Sequence, residues 1–316
     1  MDKTEVSQLT KRILENVKKV VIGREEITKK LLVALFSGGH VLLEDRPGTG
    51  KTTLAKTFAK LIAAENRRVQ FTPDLMPSDI TGLHIYNQKD EEFHLVKGPV
   101  FTNILLADEI NRATPRTQSS LLEAMEEKQV TIDGMTLVLP DPFFVIATEN
   151  PIETTGTYPL PEAQIDRFMM RLSMGEMEKA GERKVIDAWM KENPLDDLSA
   201  CCTVEDIRNV REYVKTIHVH PCIRDYTVDI IMQTRVNSKV TYGASTRATL
   251  ALVRAAQCHA AMDGREYVVP DDVKLLAKDV LAHRLCPNGS MTEKQSDMLM
   301  REIIGAVEVP VEDWEN

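Results

Sequence analysis

HVLLEDRPGTGKTTLAK, residues 40–56, passes from an apolar segment (Val41, Leu42, Leu43) through a Pro/Gly turn to Lys51-Thr52 and then into a run of helical character. Strand, glycine-rich turn, Lys-Thr pair and helix together make a phosphate cradle. Backbone N–H groups of the turn and of the helix N-terminus converge on an anion, and the helix dipole assists. The cradle would span Asp45, Arg46, Pro47, Gly48, Thr49, Gly50, Lys51, Thr52 and Thr53. Lys51 would reach the outer phosphates, and the Thr52 hydroxyl would ligate Mg²⁺. One letter departs from the pattern G-x-x-x-x-G-K-[ST], which asks for glycine where this chain has Asp45. Asp45 sets a negative charge beside a site built for phosphates and removes the most permissive residue of the turn. An ordinary strand-turn-helix connection with a surface lysine would share most of these letters, so residues further along carry the decision.

NILLADEINRA, residues 103–113, is the second signal. Ile104, Leu105, Leu106 and Ala107 form a continuous apolar run, the mark of a strand buried on both faces of a parallel sheet. Asp108 and Glu109 follow at the C-terminal end, where α/β sheets place their sites. Asp108 is suited to hold Mg²⁺ through water, and Glu109 to orient or deprotonate an attacking water. DPFFVIATENP holds another such strand, Phe143 to Ala147, which delivers Thr148, Glu149 and Asn150. The neutral amide of Asn150 suits a water near a γ-phosphate, although Asn-Pro is also a plain turn signal. In GTYPLPEAQIDRFMMRLSMG a Pro-rich loop reaches Glu162, a short helix carries Asp166-Arg167, and FMMRLSM reads as the last strand. Arg167 between an acid and a phenylalanine reads as a surface ion pair unless a neighbour's phosphates lie opposite.

The chain of 316 residues is long enough for two or three domains and a real core. Its 43% hydrophobic and 28% charged residues are those of an ordinary soluble globular protein. A net charge of −9 and a pI near 5.4 argue against a broad nucleic-acid footprint. MDKTEVSQLTKRIL has no apolar segment of a secretory signal, and no run approaches the roughly 18 residues of a membrane span. The five cysteines form no C-x-x-C pair and fit a reducing compartment. A cytoplasmic protein with no membrane insertion is the expectation.

Val6, Leu9, Ile13, Val17 and Val20 are spaced as one helix, Gly23 breaks it, and a second helix with Ile27, Leu31 and Leu35 ends at Gly38-Gly39. RRVQFT reads as a strand. PDLMPSDITG looks too rich in Pro and Asp for regular structure. Residues 83–98 alternate on either side of the polar turn Gln88–Glu92, and VTIDGMTLVLP turns on Asp133-Gly134, so both read as hairpins. From EMEKAGERKVIDAWMKENP onward the pattern is helical, with helices over 203–217, 223–236, 246–262 and 271–284 and no competing strand. Arg247 stands in the first turn of its helix, where a cation opposes the dipole, so it should answer to something negative. His218, His220 and Cys222 offer metal-ligand types, but no second cluster completes a site.

PGTGKT, NILLADEINRATPRTQSSLLEAMEE and ATENPIETTGTYPLPEAQIDRF together resemble the AAA+ ATPases of the MoxR family over roughly residues 10–285. The resemblance implies an AAA+ P-loop α/β core, a parallel sheet flanked by helices, over 1–198. A smaller all-α lid would follow over 199–316. It matches Lys51 and Thr52 to the Walker A ends, Asp108 and Glu109 to the Walker B acids, and Asn150 to the sensor-1 residue. Arg167 matches the arginine finger that reaches the next subunit's nucleotide, and Arg247 the sensor-2 arginine of the lid. Val21, Ile22 and Gly23 match the adenine contact, the 83–98 hairpin the helix-2 insert, and the 130–139 hairpin the presensor hairpin. ATP and Mg²⁺ are the implied cofactors. A hexameric ring and a protein client, often one with a von Willebrand factor A domain, are the implied partners. The implied function is a chaperone-like ATPase that remodels or matures proteins. A metal-chelatase motor subunit and a nucleotide-gated DNA-acting module are the alternative readings.

Overall fold

The computed structural model describes residues 1–44, 48–150, 156–175, 177–190 and 193–311. Five parallel strands form its central sheet: β1 (Val41–Glu44), β2 (Asn66–Gln70), β3 (Ile104–Asp108), β4 (Phe144–Glu149) and β5 (Met170–Leu172), in the order β2-β3-β4-β1-β5. The apolar runs have the physical cause that the sequence implied. Val41, Leu43, Ile104, Leu106, Phe144 and Ile146 face one hydrophobic cluster, while Leu42, Leu105, Ala107, Val145 and Ala147 face the other. Successive side chains point to opposite faces of a strand, so a strand covered on both sides must be apolar at every position. Each buried Val, Leu, Ile or Phe among them contributes about 1.5–3 kcal/mol relative to exposure.

Helix Pro115–Glu127 covers the second face through Leu121, Leu122 and Met125. His40, just ahead of β1, is buried and ties the layers together. Its Nδ1 accepts from the Val145 N–H at 3.0 Å, and its Nε2 donates to the Met125 carbonyl at 3.1 Å. Burial lowers its pKa to about 4, so the ring is neutral at physiological pH.

The first face is covered by Lys3–Val20, Glu25–Phe36 and Lys51–Leu61, and there the cluster continues into the C-terminal helices. Those are Val204–Val214, Pro221–Val236, Thr246–Met262, Pro270–Leu281 and Glu293–Gly305. Polar ties join the N-terminal helices to them: Lys29 to Asp263 at 2.9 Å, Lys30 to Asp279 at 2.8 Å, and Arg211 Nε to the Leu35 carbonyl at 3.0 Å. The boundary drawn at 198/199 therefore crosses continuous packing.

Several expectations are corrected. The C-terminal region carries a small antiparallel pair, Val240–Tyr242 with Cys286–Pro287, and a helix beyond residue 284. PDLMPSDITG contains a short helix, Pro77–Thr81, with proline at its start and Asp79 accepting from the Met76 N–H at 2.8 Å. The short helix before the last strand is Glu162–Ile165, so Asp166 is its C-cap and Arg167 lies past it. The hairpins stand as expected, at Gly82–Asn87 with Glu92–Lys97 and Gln129–Ile132 with Met135–Val138. His84 Nδ1 meets Asp133 at 2.7 Å and links the two. His220 serves as the N-cap of helix Pro221–Val236. The one His/Asp cluster of metal-ligand spacing among the described residues is His259, Asp263 and Asp272. Arg265 is bonded to both oxygens of Asp272, which makes the cluster an ion-pair network.

Candidate functional site

β1 leads into the phosphate turn, whose first residues, Asp45, Arg46 and Pro47, lie outside the described residues. Gly48 and Gly50 have φ of 82° and 92°, in the left-handed region that favours glycine. Gly50 is the N-cap of helix Lys51–Leu61 and has no side chain with which to cap it. The first N–H groups of a helix point along its axis and suit an anion. Lys51 is only 9% exposed, and Thr52 and Thr53 follow in the same turn of helix.

Two strands over, Asp108 ends β3 and is likewise 9% exposed. Thr148 Oγ1 donates to Asp108 Oδ1 at 2.5 Å and accepts from the Glu109 N–H at 2.9 Å. One hydroxyl on β4 thus fixes both acids. Arg68 Nη2 donates to Asp108 Oδ2 at 2.7 Å and to Gln70 Oε1 at 2.9 Å. Glu109 has φ 56°, which swings its side chain off the strand line. Its Oε2 accepts from Gln70 Nε2 at 2.9 Å and from Arg112 at 3.0 Å. The Thr52 hydroxyl and the Asp108 carboxylate are hard oxygen donors, and Asp108 Oδ1 keeps a lone pair beyond its bond to Thr148, while Oδ2 accepts from both Nε and Nη2 of Arg68. The residue set fits Mg²⁺.

Sequence reasoning missed Arg68 and Gln70. Only the strand register, Gln70 opposite Asp108, brings them to the acids. Asn150 is 4% exposed and follows the Glu44–Glu149 register pair, at the entry of the phosphate turn.

That register pair sets two carboxylates side by side. Burial, then the charge of Glu44, pushes the Glu149 pKa up to about 7, while Arg171, 3.3 Å from Glu44, acts in the opposite direction. The folded value exceeds the ordinary 4.5. The folded chain therefore holds a proton that the unfolded chain has lost, and stability falls as pH rises from the ordinary value through the raised one. Glu149→Gln should remove this slope and melt higher than the unsubstituted protein at pH 8. Melting curves from pH 5 to 8 that keep an unchanged slope in the variant would contradict the assignment.

The phosphate turn opens into a cleft of about 910 Å³ lined by Val21, Ile22, Gly48–Gly50 and Met174, with helix Lys179–Trp189 along one side. Val21 and Ile22 thus line the same cleft as the turn glycines, and the adjoining Gly23 has φ 70°. From the helices after residue 198, only Glu293 lines this cleft among the described residues.

Arg247 does not line it. Arg247 and Arg167 instead share Glu126, with Arg167 Nε 3.1 Å from Oε2 and Arg247 Nη2 on Oε1. Asp166 lies 3.5 Å from Arg247 and 3.0 Å from Arg284 Nε. The predicted residues therefore fall into groups: Val21, Ile22, Gly48–Gly50 and Thr53 line the cleft, Asp108, Glu109 and Asn150 stand at the ends of β3 and β4, and Arg167 and Arg247 share Glu126.

A model of the ATPase family associated with various cellular activities (AAA) matches residues 40–170, and one of the AAA lid domain matches 232–303. The chain is 46% identical over 303 residues to YeaC of Bacillus subtilis, covering 95% of each. It is 43% identical over 290 residues to Chaperone MoxR1 of Mycobacterium tuberculosis, covering 89% of this chain and 76% of that protein. Protein MoxR of Methylorubrum extorquens is 30% identical over 298 residues, 87% of this chain and 86% of that one. A crystal structure of a candidate ATPase from Cytophaga hutchinsonii superposes with a TM-score of 0.91 at 38% identity, covering 98% of this chain and 97% of that one.

Proposed function

This chain belongs to the MoxR family of AAA+ ATPases, and on that premise we propose that it works as a ring, hydrolysing ATP to remodel or mature protein partners. The observation that supports the ring is the pairing of Arg167 and Arg247 on one exposed carboxylate, Glu126. Lys51 opens the helix after β1 and Asp108 and Glu109 stand at the end of β3, while Arg167 and Arg247 are both held by Glu126. Two arginines paired to one carboxylate at a surface are well placed to meet the phosphates of an adjoining subunit.

Within one subunit, Lys51 and the N–H groups of the helix start hold the outer phosphates. Glu109, oriented by its N–H bond to Thr148 and by Gln70, takes the proton of the attacking water. Asn150 holds that water in line. Thr52 and Asp108 would hold Mg²⁺, which would supply positive charge to neutralise the phosphates. Arg167 of the adjoining subunit stabilises the transferring phosphoryl group, and Arg247 joins it from the same face.

The 43% identical relative is named a chaperone, which supports a protein client, and a von Willebrand factor A domain is the client expected from the family resemblance. The charge of −9 disfavours a nucleic-acid substrate. No helix among the described residues is long and apolar enough to cross a membrane. ATP turnover per subunit should rise with protein concentration as rings form and should be unmoved by added DNA. Turnover independent of concentration down to the monomeric range would overturn the shared site, and strong stimulation by DNA would overturn the protein-remodelling role.

A further inference from the structure

Helix Lys179–Trp189 has no buried residue, although Val185, Ile186 and Trp189 lie together along one side of it. Residues three and four apart share a helix face, and a domain helix with such a stripe ordinarily buries it. Here Ile186 is 54% exposed and Trp189 40%. The stripe borders the cleft that begins at the phosphate turn, with Val185, Ile186 and Trp189 among its lining residues.

We propose that Trp189, flanked by Ile186, is the base-binding wall of this cleft, stacking on the purine ring of a nucleotide whose phosphates sit at Gly48–Thr53. The inference rests on the ATP-binding reading above. Continuity identifies the occupant, because the same cleft is polar at Gly48–Gly50 and apolar at Val20, Val21 and Met174, as a nucleotide is charged at one end and aromatic at the other. Part of the cleft wall is held in place by Arg24, which donates to the carbonyls of Met174 and Gly175. A cleft of this size falls in the range of small-molecule sites. An indole face offers every base a stacking surface, and a purine overlaps it more than a pyrimidine does.

The test uses the full chain with Trp314→Phe, so that Trp189 is the sole tryptophan. ADP should change Trp189 emission, and inorganic tripolyphosphate, which has no base, should bind without doing so. Trp189→Ala and Ile186→Ser should weaken ADP binding, Trp189→Ala by about tenfold, with tripolyphosphate affinity unchanged. Trp189→Phe should keep most of the ADP affinity. Both positions are exposed, so melting temperatures should hold. Unchanged ADP affinity in Trp189→Ala, or an equal loss of tripolyphosphate binding, would overturn the base-wall assignment while leaving the ATPase reading intact. An unsubstituted protein that binds neither ADP nor ATP would instead overturn the ATPase reading, and the base wall with it.

Discussion

Arg167→Ala should lower ATP turnover by about 10³–10⁵-fold while leaving ATP binding in the same subunit near its original strength. The size follows from what an arginine finger supplies, a fixed positive charge on the phosphoryl group as its charge redistributes. The selectivity follows from position. Arg167 lies against Glu126 and does not line the cleft of its own chain. Folding should be little affected, since the pair lost is partly exposed and worth about 0–1 kcal/mol. Single-turnover hydrolysis and calorimetric ATP binding on the same preparation separate the two effects. Turnover within about tenfold of the original would remove Arg167 from this role.

Glu109→Gln should keep ATP binding and lower hydrolysis by about 10²–10⁴-fold, the usual contribution of a positioned general base. The side chain accepts from Gln70 and Arg112, and its backbone N–H is anchored on Thr148. Glutamine keeps the size and one acceptor but cannot take a proton. A trapped, ATP-loaded protein is the expected product of this change, readable as stoichiometric ATP retained after gel filtration. Unimpaired hydrolysis would assign the proton to another group.

The features legible in the sequence are those whose cause is local. Continuous apolar runs located β1, β3 and β4 because burial on two faces leaves no room for alternation. Gly48, Gly50 and Lys51-Thr52 marked the phosphate turn, and Asp133-Gly134 marked its hairpin. Arg247, a cation in the first turn of its helix, answers in this chain to Glu126 and Asp166, partners 121 and 81 residues away that only packing between segments brings near. Cys286–Pro287 is too short to carry a period and exists as a strand only through its pairing with Val240–Tyr242. Arg68 and Gln70 alternate on a strand like any edge residues, and only register places them beside Asp108 and Glu109. Helix Glu293–Gly305 did have a signal, the Thr292–Gln295 capping box. Contacts made across the sheet or between distant helices left no local trace.

The central claim is that each ATP site is completed by a second subunit, and mixing tests it most directly. Arg167→Ala and Lys51→Ala chains, each nearly inactive alone, are combined into rings shown to contain both. Some interfaces then pair an intact phosphate loop from the first with an intact arginine from the second. Turnover well above the sum of the separate proteins is the predicted result. Turnover that stays at that sum in verified mixed rings would contradict the shared site.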